Sequence, residues 1–331
     1  MSVVISTATF AAGVDFGDGG VAGCVRDRLT RIDNLIRSQL DDETSMLTAA
    51  ALRPSGPTRR QIRPLITVLC AQLGDEPDAW EVTATGAATE MVHMAAMHHD
   101  DVEDYAHRAV RSDGRWRNSM AILAGDYLLA AASQVLSGVG PAAVAAIAET
   151  FAQMMQGRMR IQRRTDGPGL ADDALRVVGE KTGSLIATAG RFGAMFGGVP
   201  PEDIERTTKL SGTIGLALQI SDEVRELTEG TDSSEPPVSL SNVYYTLPAQ
   251  YALQESGPRA ARLHNLMRNG RDRETQSEAL SLIRASAGLT KAMNVCARYA
   301  TEAGTELLRL PESPARYAFV QLVEHVRKRY A

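Results

Sequence analysis

The stretch that most constrains this chain is PDAWEVTATGAATEMVHMAAMHHDDVED, residues 77–104. Read as one long helix it is apolar on most sides, and a helix without a polar face belongs inside a protein. Yet it runs straight into Asp100, Asp101, Glu103 and Asp104. Carboxylates this close repel one another and raise each other's pKa, and the negative end of a helix dipole is a poor place for them. Something cationic is therefore expected at that end of the helix.

The rest of the chain supports an all-α reading. VRDRLTRIDNLIRSQL steps its apolar residues at threes and fours, and SMAILAGDYLLAAASQVLSG (119–138) and PAAVAAIAETFAQMMQGRMRIQRR (141–164) are alanine-rich enough for burial on most sides. LRPSGPTRRQIRP (52–64) reads as a breaker-rich basic loop, with a buried helix starting at LITVLC. Hydrophobic residues make up 44% of the 331, ample for a core, and the 5% aromatic content with little strand alternation argues against sheets. A single helical domain is expected over 22–331, after a flexible tail at 1–21 that lacks the basic start of a signal peptide. A net charge of −5 gives no electrostatic case for a nucleic-acid partner. No apolar run is read as reaching the roughly 20 residues of a membrane span. Cys24, Cys70 and Cys296 have neither disulfide nor zinc spacing and suit a reducing, cytoplasmic setting.

At about 100° per residue, Asp100 and Asp104 share a helix face and His93 points along the same line two turns back. Oxygen ligands in this pattern suit a hard cation such as Mg²⁺, which keeps waters and bridges to phosphates. A second apolar helix, TIGLALQISDEVRELTEG, ends in Asp222, Glu223 and Glu226 with the same spacing, so two acidic groups would close on metal from opposite walls. Arg59, Arg60 and Arg63 in the basic loop, Arg108 and Arg111 after the first acidic group, and Lys181 in EKTGS supply cations for phosphate. Together they describe a diphosphate site under an apolar wall.

EMVHMAAMHHDDVED followed by WRNSMAILAGDYLLA resembles the first aspartate-rich motif, DDxxD, of the polyprenyl synthetase family, the trans-isoprenyl diphosphate synthases. RRQIRPLITVLC, GEKTGSLIATAG, IGLALQISDEVRE and YYTLPAQYAL follow that family's order from about residue 30 to the C-terminus. The resemblance implies an all-α bundle around a deep central cavity, usually a homodimer, joining isopentenyl diphosphate to an allylic diphosphate with Mg²⁺. It implies that Asp100, Asp101 and Asp104 hold metal on the allylic diphosphate with Asp222 opposite, and that Arg60, Arg63 and His93 bind isopentenyl diphosphate. Lys181, Thr182 and Gln219 fall where the allylic group and its cation are held.

The chain departs from the family's pattern in its second motif, DEVRE for DDxxD, and has Tyr244 where the family has lysine. Ala109 and Val110 stand at the paired-arginine positions, flanked by Arg108 and Arg111, and the lysine of the basic loop is Arg60. Two other functions share these features: a class I terpene cyclase, which has no use for Arg60, Arg63 and His93 as a second-substrate site, and a non-catalytic subunit of a heteromeric synthase.

Overall fold

The computed structural model describes residues 20–40, 51, 61–100, 102, 112–162, 170–229, 243–269 and 273–328. Among the described residues all regular structure is helical. In chain order the helices are α1 (Gly20–Leu40), α2 (Ile62–Ala71), α3 (Trp80–Asp100), α4 (Ser112–Val139), α5 (Pro141–Gln162) and α6 (Leu170–Val178). After a π turn at Gly179–Gly183 come α7 (Ser184–Phe196), α8 (Pro201–Glu229), α9 (Leu247–Leu253), α10 (Pro258–Asn269), α11 (Arg273–Arg284), α12 (Gly288–Leu307) and α13 (Pro314–Lys328). Contacts gather the chain into two compact units. The first comprises Met1–Phe151, Leu185–Ser211 and Leu310–Gln321, and the second Ala152–Ser184, Gly212–Arg309 and Leu322–Ala331.

In the first unit α3 is the central helix, with α1, α2 and α4 packed along it. Helix α1 buries Val25, Leu29, Ile32, Ile36 and Leu40, a single stripe at steps of three and four. Helix α2 is buried from Arg63 to Ala71. It crosses α7 at a glycine: a Cβ on Gly193 would lie 2.1 Å from the Thr67 carbonyl oxygen, so only glycine permits that approach. In the second unit α9 packs on α12, and Leu227, Val243, Leu253, Leu263 and Ile283 form an apolar core.

Three sequence expectations change. Helix α1 already includes Gly20 and Val21, which the reading gave to the tail; residues 1–19 lie outside the described residues. Helix α2 begins at Ile62, not Leu65, so Arg63 and Pro64 sit in its first turn, where proline costs no hydrogen bond. Finally, Asn118–Val139 is by length and composition apolar enough to cross a membrane. The run reaches that length because a single charge, Asp126, interrupts it. In the fold this helix packs along α3 and buries Ala124, Leu128, Ala132 and Leu136.

Candidate active site

Each unit carries one of the two acidic groups. In the first, α3 delivers His93 and Asp100, both half-buried, on one line of the helix. Asp101 and Asp104 lie outside the described residues, as do Arg59, Arg60, Arg108 and Arg111. His98 and His99, the pair that precedes the acids, are held by the scaffold. His98 Nε2 lies 3.3 Å from the Ala51 carbonyl oxygen, and His99 Nε2 lies 3.3 Å from Asp126 Oδ1 on α4. The His99 ring rests on Gly125, where a Cβ would come within 2.3 Å of Nε2. The last turn of α3 is thereby fixed against α4 just before Asp100.

Arg63 points inward from the first turn of α2 and meets Glu90 of α3, with Nη1 and Oε2 4.0 Å apart. Glu90 Oε1 also accepts the backbone N–H of Gln61 at 3.2 Å. Gln61 caps α2 in the left-handed region, φ 83°, and is the one non-glycine with positive φ among the described residues. Such backbone is uncommon outside glycine and asparagine, and here a buried carboxylate holds it. Sequence reasoning passed over Glu90. The signal was present: a lone acid among Ala87, Ala88, Met91 and Val92, one turn before His93.

In the second unit the π turn carries Lys181 and Thr182, both half-buried. Glu180 anchors the turn: Arg160 Nε donates to Oε2 and Arg176 Nε to Oε1, each at 2.9 Å. Gly157 of α5 lets it close in, since a Cβ there would sit 2.9 Å from Glu180 Cβ. π turns of this kind often mark functional positions. Thr182 Oγ1 lies 3.5 Å from Gln219 Oε1, and Gln219 Nε2 donates to Glu223 Oε1 at 3.3 Å. Asp222 is largely buried, with an oxygen 3.8 Å from Arg225, and Glu226 is exposed one turn on.

Glu223 points elsewhere: it is buried and accepts the Leu247 N–H at 2.9 Å. Tyr244, at the position the family gives to lysine, is buried in the apolar core with its ring 4.7 Å from Tyr245 in an edge-on arrangement. Among the described residues no three His, Cys, Asp or Glu side chains gather at metal-binding spacing. Those described in each acidic group still offer only hard oxygen donors, Asp100 in one and Asp222 with Glu226 in the other. That donor chemistry suits a divalent cation of the Mg²⁺ or Ca²⁺ kind.

The profile of the polyprenyl synthetase family matches residues 46–283. A nonaprenyl diphosphate synthase of Mycobacterium tuberculosis is 42% identical over 330 residues, covering 98% of each chain. A dimethylallyltranstransferase of the same organism is 41% identical, over 94% of this chain and 97% of its own. Among solved structures, geranylgeranyl pyrophosphate synthase from Corynebacterium glutamicum superposes with a TM-score of 0.79 at 33% identity, covering 97% of both chains. The same enzyme has been crystallised complexed with calcium and isoprenyl diphosphate, and that structure gives a TM-score of 0.78 over 95% of this chain and 99% of its own. The helices described above are thus those of the isoprenoid synthase fold, and the chain belongs to the polyprenyl synthetase family. It is a trans-prenyltransferase, condensing isopentenyl diphosphate with an allylic diphosphate into a linear polyprenyl diphosphate.

Proposed function

We propose that this synthase uses Mg²⁺, works as a homodimer in a reducing cytoplasm and makes a long linear product. The observation that carries the metal reading is the placement of Asp100 and Asp222. Each is a partly or largely buried carboxylate that follows a buried apolar run, 91–96 in α3 and 214–220 in α8, and each belongs to a run of acids whose mutual repulsion a bound cation would relieve. Asp100 with Asp101 and Asp104, and Asp222 with Glu226, would hold Mg²⁺. When bound, it would offset the negative charge that grows on the diphosphate as the allylic carbon–oxygen bond breaks.

The remaining work belongs to side chains of this chain. Arg63, with Arg60 and His93, would hold the isopentenyl diphosphate, and Glu90 keeps the Arg63 guanidinium aimed. Lys181 would grip the allylic diphosphate, a role the sequence also offers to Arg108 and Arg111. The backbone carbonyl of Thr182 and the amide oxygen of Gln219 would present negative dipoles to the allylic cation. No protein nucleophile is needed: the double bond of the second substrate attacks, and the departed diphosphate takes the proton.

Ala95 and Ala96 lie roughly 6–7.5 Å before Asp100 along α3; Ala95 is packed, and the small side chain of Ala96 would leave that level to a growing tail, so a product of about four isoprene units or more is expected. The relatives' names span lengths, nonaprenyl in one, geranylgeranyl in another and short chain isoprenyl in a third. The homodimer reading rests on α4, where Trp116, Ile122 and Leu123 are exposed on an otherwise apolar helix. A second copy of this chain would cover that face. Light scattering should give twice the 35.6 kDa chain mass; a monomer at working concentration would contradict it. Cys24, Cys70 and Cys296 are free, and a reducing compartment would keep them so.

One observation favours a second reading, a partner chain in place of a second copy. The core position of Tyr244 provides no cation where the family has lysine, and a 27% identical relative from Geobacillus stearothermophilus is component 2 of a heptaprenyl diphosphate synthase. The metal reading is tested by removing divalent cations with chelator and restoring them singly. Turnover should vanish and return with Mg²⁺; turnover that survives chelation contradicts it.

A further inference from the structure

Glu223 stands in the middle of the second acidic run, where spacing alone makes it a metal ligand, yet it faces two partners inside the protein. Its side chain is buried, 6% exposed. Oε2 accepts the backbone N–H of Leu247 at 2.9 Å, and Oε1 accepts from Gln219 Nε2 at 3.3 Å. The first contact caps a helix. Thr246 occupies the N-cap position of α9, but its hydroxyl bonds back to the Val243 carbonyl at 2.8 Å and makes no cap bond to the helix. Pro248, next in the helix, has no N–H to offer. The carboxylate of Glu223 thus meets the first donor of α9 from a helix 24 positions upstream, at the end of the dipole that favours negative charge.

The second contact sets an orientation. A carboxylate only accepts hydrogen bonds, so the amide nitrogen of Gln219 must face Glu223. The amide oxygen is then turned to the Thr182 side, 3.5 Å from its hydroxyl. Both oxygens of Glu223 are engaged within the protein. Aspartate, one methylene shorter, reaches one partner and not both.

We propose that Glu223 is a positioning residue: it holds the Gln219 amide oxygen toward Thr182 and ties the start of α9 to the second acidic run, leaving metal there to Asp222 and Glu226. This rests on the reading of Asp222 and Glu226 as the metal-facing pair. It also gives a physical reason for the departure from DDxxD at this position, since the longer side chain is the one that spans both contacts.

The test uses Glu223→Gln, Glu223→Asp and Asp222→Asn in the full chain, with turnover, Mg²⁺ requirement and metal-free melting measured for each. Glutamine at 223 turns an N–H₂ group toward one of the two donors, so Gln219 loses its orientation. Turnover should fall by about tenfold or more with the Mg²⁺ requirement unchanged, and the metal-free protein should melt at a lower temperature. Glu223→Asp should also lower turnover, although it moves the sequence closer to the family motif. In a Gln219→Leu background Glu223→Gln should cost little further turnover, because the two act through one contact. A rise in turnover with Glu223→Asp would overturn the inference. So would a shift in Mg²⁺ requirement for Glu223→Gln matching that of Asp222→Asn, with melting unchanged. If Asp222→Asn leaves the Mg²⁺ requirement alone, the metal reading of this run fails, and the double-variant and melting results still decide the role of Glu223.

Discussion

Arg63 and Glu90 share the interior of the first unit, Nη1 4.0 Å from Oε2, with side chains only 6% and 4% exposed. A guanidinium that dry is costly without a counter-charge, and Glu90 provides one while bonding the Gln61 N–H as well. Glu90→Ala should therefore destabilise the protein by about 3–5 kcal/mol, the range for breaking a buried pair, measured by urea unfolding. Glu90→Gln keeps an acceptor for Gln61 and should cost less. Its KM for isopentenyl diphosphate should rise while the KM for the allylic substrate stays put, since only Arg63 loses its alignment.

Asp100→Asn removes charge from the end of α3 without changing its shape. Turnover should drop by about 10²-fold or more, as when a main electrostatic stabiliser is lost. Helical circular dichroism should be unchanged, and melting unchanged or higher because a like-charge repulsion is relieved. Near wild-type turnover at saturating Mg²⁺ would exclude Asp100 from the site.

Glu226 is exposed one turn beyond Asp222 and is one methylene longer than the family's aspartate. As the proposed ligand, its longer side chain would still reach a hard cation but hold it less firmly. Glu226→Asp should lower the Mg²⁺ concentration that gives half-maximal turnover. A metal titration of both proteins checks this, and an unchanged midpoint argues against Glu226 as a ligand.

The helices were legible in the sequence because burial imprints its period directly. SMAILAGDYLLAAASQVLSG and PAAVAAIAETFAQMMQGRMRIQ fall within or along α4 and α5. What escaped notice depends on partners distant in the chain. The π turn at Gly179–Gly183 is fixed by Arg160 and Arg176 on Glu180 and by the Gly157 contact, none of which alters local periodicity. Glu223 shares the acidic spacing of its neighbours, and only Leu247, far along the chain, shows which way it faces. Asp100, His93 and Asp222 were legible because a charge on an apolar helix is conspicuous. Glu90, equally conspicuous, lies one turn before His93 and nearly three before Asp100, away from the run of acids.

Ala95 has no exposed surface, and Ala96 retains 7%. A side chain added at Ala95 would disturb packing, whereas one at Ala96 would fill space along the path proposed for the tail. Ala96→Phe should shorten the product with little loss of total turnover. Sizing the products by chromatography tests this, and an unchanged length would place the floor on another helix.

Gly193→Ala would put a Cβ 2.1 Å from a backbone oxygen of Thr67, and no rotamer change relieves a clash with backbone. Helices α2 and α7 must separate there, which should cost about 1–3 kcal/mol or more. Because Thr67 lies one turn after Arg63 on α2, the KM for isopentenyl diphosphate should rise in parallel with the loss of stability. A melting curve unchanged by the substitution would contradict the packing described.

The most direct measurement is to incubate the pure protein with isopentenyl diphosphate and each allylic diphosphate in turn, with Mg²⁺, and to size what forms. The account predicts linear trans-polyprenyl diphosphates of about four isoprene units or more, formed by the chain alone along a path open at Ala96. Cyclic hydrocarbon from an allylic diphosphate without isopentenyl diphosphate, or product only after a second protein is added, would contradict it.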